Sequence, residues 1–395
     1  MINTPQANRL HIAIFGRRNV GKSSLINAIT GQEIALVSEH AGTTTDPVYK
    51  AMELLPIGPV VIIDTAGLDD EGEIGELRIK KTKEVMNKTD LALLVFSLQC
   101  TDFTMEKQWY DELKERNIPI IGVINRIDEV TPDLEKYKEF QLPLVKVSAK
   151  DKLNIEELKE AIKEHAPEDF ENKSILGDLI NSGDVVVLVA PQDIQAPKGR
   201  LILPQQQIIR DILDYHGMAL TVTEKELEKL LSVLNKKPDL VITDSQVFDK
   251  VNKTIPLEVP LTSFSMLMAR YKGDINVFAE GARAIENLKP GDSVLIAEAC
   301  THHALQGDIG RQKLPNWLEG KAGGKLDITI NAGVDFPEDL SKYKLIVHCG
   351  ACMFNKKQVM SRIWRAVEQG IPVTNYGTAI AQINGILDRT MSVFK

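Results

Sequence analysis

Cysteine is scarce in this chain. Four cysteines in 395 residues, at positions 100, 300, 349 and 352, exclude a disulfide scaffold. Long apolar runs are missing too: no stretch of about 18 or more apolar residues occurs, so no membrane-spanning helix is expected. The opening MINTPQANRL has neither a basic start nor an apolar stretch, so no signal peptide is expected and the chain is placed in the cytoplasm. Basic charge is in deficit. A net charge of −8 argues against a nucleic-acid partner, which needs a basic face, though a local patch stays open. What the chain does have is apolar bulk: 43% hydrophobic residues over this length suffice for two or three cores.

Apolar β-branched runs alternate with helical patterns throughout, the rhythm of βαβ units and parallel sheets. The fold class expected is α/β in three domains: an N-terminal P-loop domain with a mostly parallel sheet over 8–168, then two smaller α/β domains over 175–262 and 263–395. The first has strand candidates LHIAIF, VVIID, LALLVFS, IPIIGVIN and LPLVKVS, a helix from Asn154 to about His165, and PEDFENKS as its exit linker. The second reads as the strand DVVVLVA, an amphipathic helix ending at a Gly cap, the strand ALTVT, a further helix and the strand DLVITD. The third carries the strands SVLIAE, LDITINA and LIVHC and a long helix from about Asn355 to Gln369.

Gly16-Arg17-Arg18-Asn19-Val20-Gly21-Lys22-Ser23 fits GxxxxGK followed by Ser or Thr, between an apolar strand and a helix. Such a loop wraps its backbone N–H groups, including those of Val20 and Ser24, around a phosphate. Lys22 is expected to reach the β- and γ-phosphates, and Ser23 to ligate Mg²⁺. Asp64-Thr65-Ala66-Gly67 ends a strand where a carboxylate can hold Mg²⁺ and the Gly67 N–H can sense the γ-phosphate. Asn125-Arg126-Ile127-Asp128 places Asp128 to accept two hydrogen bonds from guanine, a donor pair that adenine lacks. Ser148-Ala149-Lys150 offers a backbone N–H to the guanine O6. Each of these last three is weak alone. All four motifs in order, each at a strand's carboxyl end, point to GTP/GDP in the crevice where open α/β sheets bind ligands.

With these motifs, residues 8–165 resemble a GTPase domain of the TrmE–Era branch, and Gly42-Thr43-Thr44-Thr45-Asp46 resembles its GTTxD switch. The resemblance implies that Thr44, or the adjacent Thr43, closes on Mg²⁺ and the γ-phosphate, and that Asn19 helps hold K⁺ across the phosphates. Two departures matter. Arg126 stands where Lys is usual. Leu68 stands where Ras-type enzymes place a water-orienting Gln, and leucine cannot orient water. Glu76 is the candidate water-orienting carboxylate in an acidic stretch that also reads as a solvated switch loop. Slow hydrolysis, faster in K⁺ than in Na⁺, is expected.

Cys300-Thr301-His302-His303 and His348-Cys349-Gly350-Ala351-Cys352 follow two apolar strands. Parallel pairing would bring both ends to one sheet edge. By chemistry alone, structural zinc and an iron–sulfur cluster with three thiolates and a labile fourth ligand stand about even. CxH followed, after residues 303–347, by HCxxC resembles the signature of the FeFe-hydrogenase maturation GTPases, the HydF family. That resemblance spans the chain and implies a 4Fe-4S cluster on Cys300, Cys349 and Cys352, with a fourth position exchangeable or filled by His302, His348 or a non-Cys ligand. It also implies a dimer or larger homo-oligomer, delivery of a diiron subcluster precursor to apo FeFe-hydrogenase, and radical-SAM maturases as upstream partners. Nucleotide state would then set how the chain docks its partners. The alternative is an Era-type GTPase with a structural zinc site acting in ribosome or tRNA metabolism.

Overall fold

The computed structural model describes residues 6–31, 47–55, 57–65, 81–98, 100, 102–167, 174–192, 201–299 and 308–395. Thr44, Gly67, Glu76, Cys300 and His302 lie outside the described residues. The chain divides into two compact units, Met1–Asn172 and Lys173–Lys395.

The first unit is built on a sheet of strands β1 (Leu10–Phe15), β2 (Val48–Leu54), β3 (Gly58–Asp64), β4 (Leu91–Phe96), β5 (Ile120–Ile124) and β6 (Leu144–Lys146), in the order β2-β3-β1-β4-β5-β6. Only β2 runs antiparallel, against β3. β1 and β4 are buried along their whole length, as strands covered on both faces must be. Alternation along β1 splits its side chains between two cores. Leu10, Ile12 and Ile14 pack with helices α1 (Lys22–Thr30) and α3 (Ile155–His165), whereas Ala13 and Phe15 pack with α2 (Thr104–Glu115). Each such fully buried Leu or Ile contributes roughly 1.5–3 kcal/mol. The sequence pattern misses β2 because VYKAMEL is a half-exposed edge strand with no continuous apolar run.

The second unit holds two all-parallel sheets. β7 (Val185–Val189), β8 (Met218–Val222), β9 (Leu240–Thr243) and β10 (Leu261–Ser263) run in the order β10-β9-β7-β8. Helices α4 (Leu203–Asp214), α5 (Leu227–Val233) and α6 (Phe248–Thr254) connect them. After α7 (Phe264–Lys272) and α8 (Ile275–Arg283), the strands β11 (Ser293–Glu298), β12 (Asp327–Ala332), β13 (Leu345–His348) and β14 (Val373–Asn375) run in the order β12-β11-β13-β14. Helices α9 (Leu314–Ala322), α10 (Lys356–Glu368), α11 (Tyr376–Ile383) and α12 (Leu387–Met391) complete the unit. One buried cluster joins the sheets, from Val187 and Val241 through Met266 and Phe278 to Ile296 and Val347. β10 and β14, three residues each, are too short to announce themselves by periodicity. Among the described residues no helix is long and apolar enough to cross a membrane.

Candidate functional site

The carboxyl ends of β1, β3, β5 and β6 share one edge of the first sheet, and each delivers a motif there. After β1 the chain wraps back into α1, whose N-cap Gly21 has φ 93°. A side chain at Gly21 would be strained in that conformation and would collide with Asn125 Nδ2. Lys22, almost fully buried, donates from Nζ to the carbonyls of Gly16 and Arg17, both at 2.8 Å, which centres its ammonium in the loop. Ser23 Oγ donates to Asp64 Oδ2 at 3.0 Å, so the two residues expected around Mg²⁺ meet across the sheet edge. Burial pushes the Asp64 carboxyl up, while Ser23 and the Lys22 charge pull it back. A desolvated carboxylate beside a hydroxyl at a helix N-terminus fits a divalent cation, whose charge offsets the cost of burial.

Asn125 ties three loops. Its Nδ2 donates to Val20 O at 3.0 Å and its Oδ1 accepts the Ala149 N–H at 3.1 Å. Asp128 is exposed rather than buried, and a hydrogen bond from Ser148 holds its carboxyl below the usual range. It therefore presents an ionised, solvent-facing acceptor where the sequence expects the guanine edge. The Arg-for-Lys departure has a structural use: Arg126 Nη2 donates to the Asn19 carbonyl at 2.6 Å, bridging the base loop to the phosphate loop. Cys100 is a rim thiol that donates to Asp102 O.

The sequence reading misses Glu106. This fully buried carboxylate on α2 takes Arg17 Nε at 2.8 Å and Nη2 at 3.1 Å, while Nη2 also donates to Asp102 O. A signal was there: Glu106 opens the buried helical face Glu106, Trp109, Tyr110, Leu113, a core position held by a charge.

In the second unit β11 and β13 pair in parallel, Ala297 against His348, and the next residue is Cys349. Its N–H donates to Ala297 O at 3.0 Å, and its sulfur accepts the N–H of Ala299 at 3.0 Å and of Ala351 at 3.4 Å. Ala351, at φ 48°, turns the chain to Cys352. Beneath this turn lies Lys272, whose Nζ donates to the carbonyls of Ala351 (3.2 Å), Cys352 (3.3 Å) and Phe354 (2.8 Å). Burial lowers the Lys272 amine to about 8, and the nearby Cys352 and Cys349 thiols oppose the fall. The Cys349 sulfur, receiving two N–H bonds on a turn gripped by a buried lysine, suits a thiolate bound to metal.

His348 is placed otherwise than expected of a ligand. It is buried, its Nδ1 donates to Cys349 O at 3.0 Å, and its Nε2 accepts from Arg362 Nη1 at 3.3 Å. Burial and the Arg362 charge push it down to about 3, so it stays neutral. Both of its nitrogens are engaged, and Nε2 orients Arg362. Arg362 also donates to Gly333 O at 2.6 Å and stacks over Phe354 and Phe336. Glu298, at the end of β11, is nearly buried and takes Arg311 Nε and Nη2 on one oxygen.

Comparison with known proteins matches three segments of the chain. Residues 11–126 match the family model of the 50S ribosome-binding GTPase, residues 175–273 the hydrogen maturase F dimerization domain, and residues 276–393 the hydrogen maturase F tetramerization domain. Among curated proteins, the tRNA modification GTPase MnmE of Desulfotalea psychrophila is 34% identical over 160 residues, covering 39% of this chain and 34% of that protein. GTPase Der of Wolinella succinogenes is 34% identical over 168 residues, covering 39% and 35%. The chain thus spans about a third of the length of the curated relatives it matches. A structure of Aquifex aeolicus Era bound to GDP.AlF4- is 19% identical at TM-score 0.37, covering 57% of this chain and 98% of that one. The first unit is a GTPase domain and hydrolyses GTP.

Proposed function

Because this chain belongs to the hydrogen maturase F family, we propose that its GTPase domain serves a scaffold or carrier that holds a 4Fe-4S cluster on Cys300, Cys349 and Cys352. The cargo delivered to apo FeFe-hydrogenase is the precursor of a diiron subcluster, received from radical-SAM maturases. The observation that carries this reading is the Cys349 sulfur, which accepts two backbone N–H groups, with Cys352 on the same turn and Lys272 beneath it. When bound, the cluster would supply an iron whose fourth position is exchangeable or taken by His302, His348 or another non-Cys ligand.

In the first unit Lys22 neutralises charge on the β- and γ-phosphates, and Ser23, Asp64 and Thr44 surround Mg²⁺. Asn19 supports K⁺, Glu76 orients the attacking water, and Asp128 reads guanine. The domain division proposed is 8–168 for GTP hydrolysis, 175–262 for dimerisation and 263–395 for the cluster, in a homodimer or larger assembly in the cytoplasm.

The test is iron and acid-labile sulfide in anaerobically reconstituted protein, with Cys300→Ala alongside. About four iron and four sulfide per chain, lost in the variant, are expected. About one zinc per chain without sulfide refutes the cluster and favours a zinc-stabilised GTPase acting in ribosome or tRNA metabolism, the MnmE relatives being named tRNA modification GTPases.

A further inference from the structure

Helix α7 buries Phe264, Leu267 and Met268, and at the next position of that face it places Lys272, only 3% exposed. A lysine in a core position is costly unless its donors are matched. An ammonium has three donors and no acceptor. Here three acceptors meet it, the carbonyls of Ala351, Cys352 and Phe354, all on the turn that carries the two cysteines. Ala351 sits in the left-handed region of that turn, and the next regular element, α10, begins only at Lys356 after its Asn355 cap, so the lysine grips an irregular stretch of backbone.

The grip also crosses a boundary. Lys272 lies within the segment matching the dimerization domain, 175–273, whereas both cysteines lie within 276–393, the tetramerization match. The lysine is therefore a tie from one domain's helix to the other's metal-binding turn.

We propose that Lys272 is the positioning residue of the cysteine turn: its ammonium locks the Cys349–Cys352 backbone and supplies a fixed positive charge beside the thiolates, so that cluster retention and reduction potential both depend on α7. The inference rests on the cluster reading above. A locked backbone holds Cys349 and Cys352 fixed relative to one another. The charge favours the more negative, reduced form of a thiolate-bound cluster.

The test compares reconstituted full-length wild type, Lys272→Met and Lys272→Arg. Iron and sulfide per chain, the rate of iron loss to a chelator and the midpoint potential from an EPR-monitored titration are read, with melting temperature and GTP hydrolysis as checks of folding. Lys272→Met is expected to lose iron about 10–100-fold faster than wild type, and the cluster it retains is expected at a more negative potential. Lys272→Arg keeps the charge without the three-point grip, so its potential should return close to wild type while iron loss stays fast. A folded Lys272→Met with wild-type iron loss and potential overturns the inference while leaving the cluster reading standing. If Lys272→Met does not fold, Lys272→Arg decides: fast iron loss at near wild-type potential upholds the inference, and wild-type kinetics overturn it. Zinc without sulfide in wild type overturns the cluster reading and this inference with it.

Discussion

Replacing Glu106 with glutamine should loosen the phosphate loop more than it loosens the fold. Arg17 sits inside the loop, and its side chain, 26% exposed, reaches a carboxylate only 1% exposed. The two bonds at 2.8 and 3.1 Å are charge-assisted, and such bonds contribute about 1.5–3 kcal/mol each. Glutamine keeps one acceptor and the shape, so the loss is that of one bond and the ionic attraction, about 1.5–3 kcal/mol. The Arg17 carbonyl is also one of the two that hold Lys22 Nζ. Motion at Arg17 is therefore motion of the ammonium meant for the β- and γ-phosphates. If the loss falls on loop order, GTP should bind about 10–100-fold more weakly. If it fell on the fold alone, affinity would stay and the first unit would melt roughly 3–12 °C lower. Titration with a fluorescent GTP analogue, beside thermal melts with and without saturating GTP, separates the two. An E106Q chain that binds GTP within about twofold of wild type while melting lower would refute the reasoning and leave Arg17–Glu106 a structural pair.

Hydrolysis should run faster in K⁺ than in Na⁺ by phosphate-release assay; equal rates would remove Asn19 from the cation site. Asp128→Asn replaces a double acceptor with an amide, and KM for GTP should rise at least about 100-fold, with xanthosine triphosphate, which carries a carbonyl in place of the guanine amino group, becoming the better substrate. Unchanged preference between the two nucleotides would mean another group reads the base. His348→Ala should leave iron and sulfide stoichiometry at the wild-type level. It should lower the melting temperature of the second unit by roughly 2–12 °C, because the buried Arg362 loses an acceptor. Loss of iron from a folded H348A chain would restore His348 as a ligand.

The legible part of the chain is the part written in glycine, cysteine and strand-forming runs. LHIAIF is β1 to the residue, and the nucleotide motifs fall at the ends of β1, β3, β5 and β6 because a parallel sheet has only one edge to offer them. Exposed or very short strands escape, since β2 is half in solvent and β10 and β14 hold three residues each. A different kind of residue also escaped, and it recurs. Glu106, Lys272 and Arg362 each occupy a core position of a helix that otherwise repeats apolar residues: Glu106 with Trp109 and Leu113, Lys272 with Leu267 and Met268, Arg362 with Val359, Ile363 and Ala366. An amphipathic helix read only for its apolar stripe treats such a charge as noise at the stripe's edge. Physically it is the opposite, because a charge is kept out of water only where something holds it. In each case the holder is a segment carrying chemistry: the phosphate loop for Glu106, the cysteine turn for Lys272, and for Arg362 the His348 that precedes Cys349. A charged residue in phase with a buried helical face thus points to the partner that must take its hydrogen bonds, and here each such partner lies on or beside a loop that sequence had already marked.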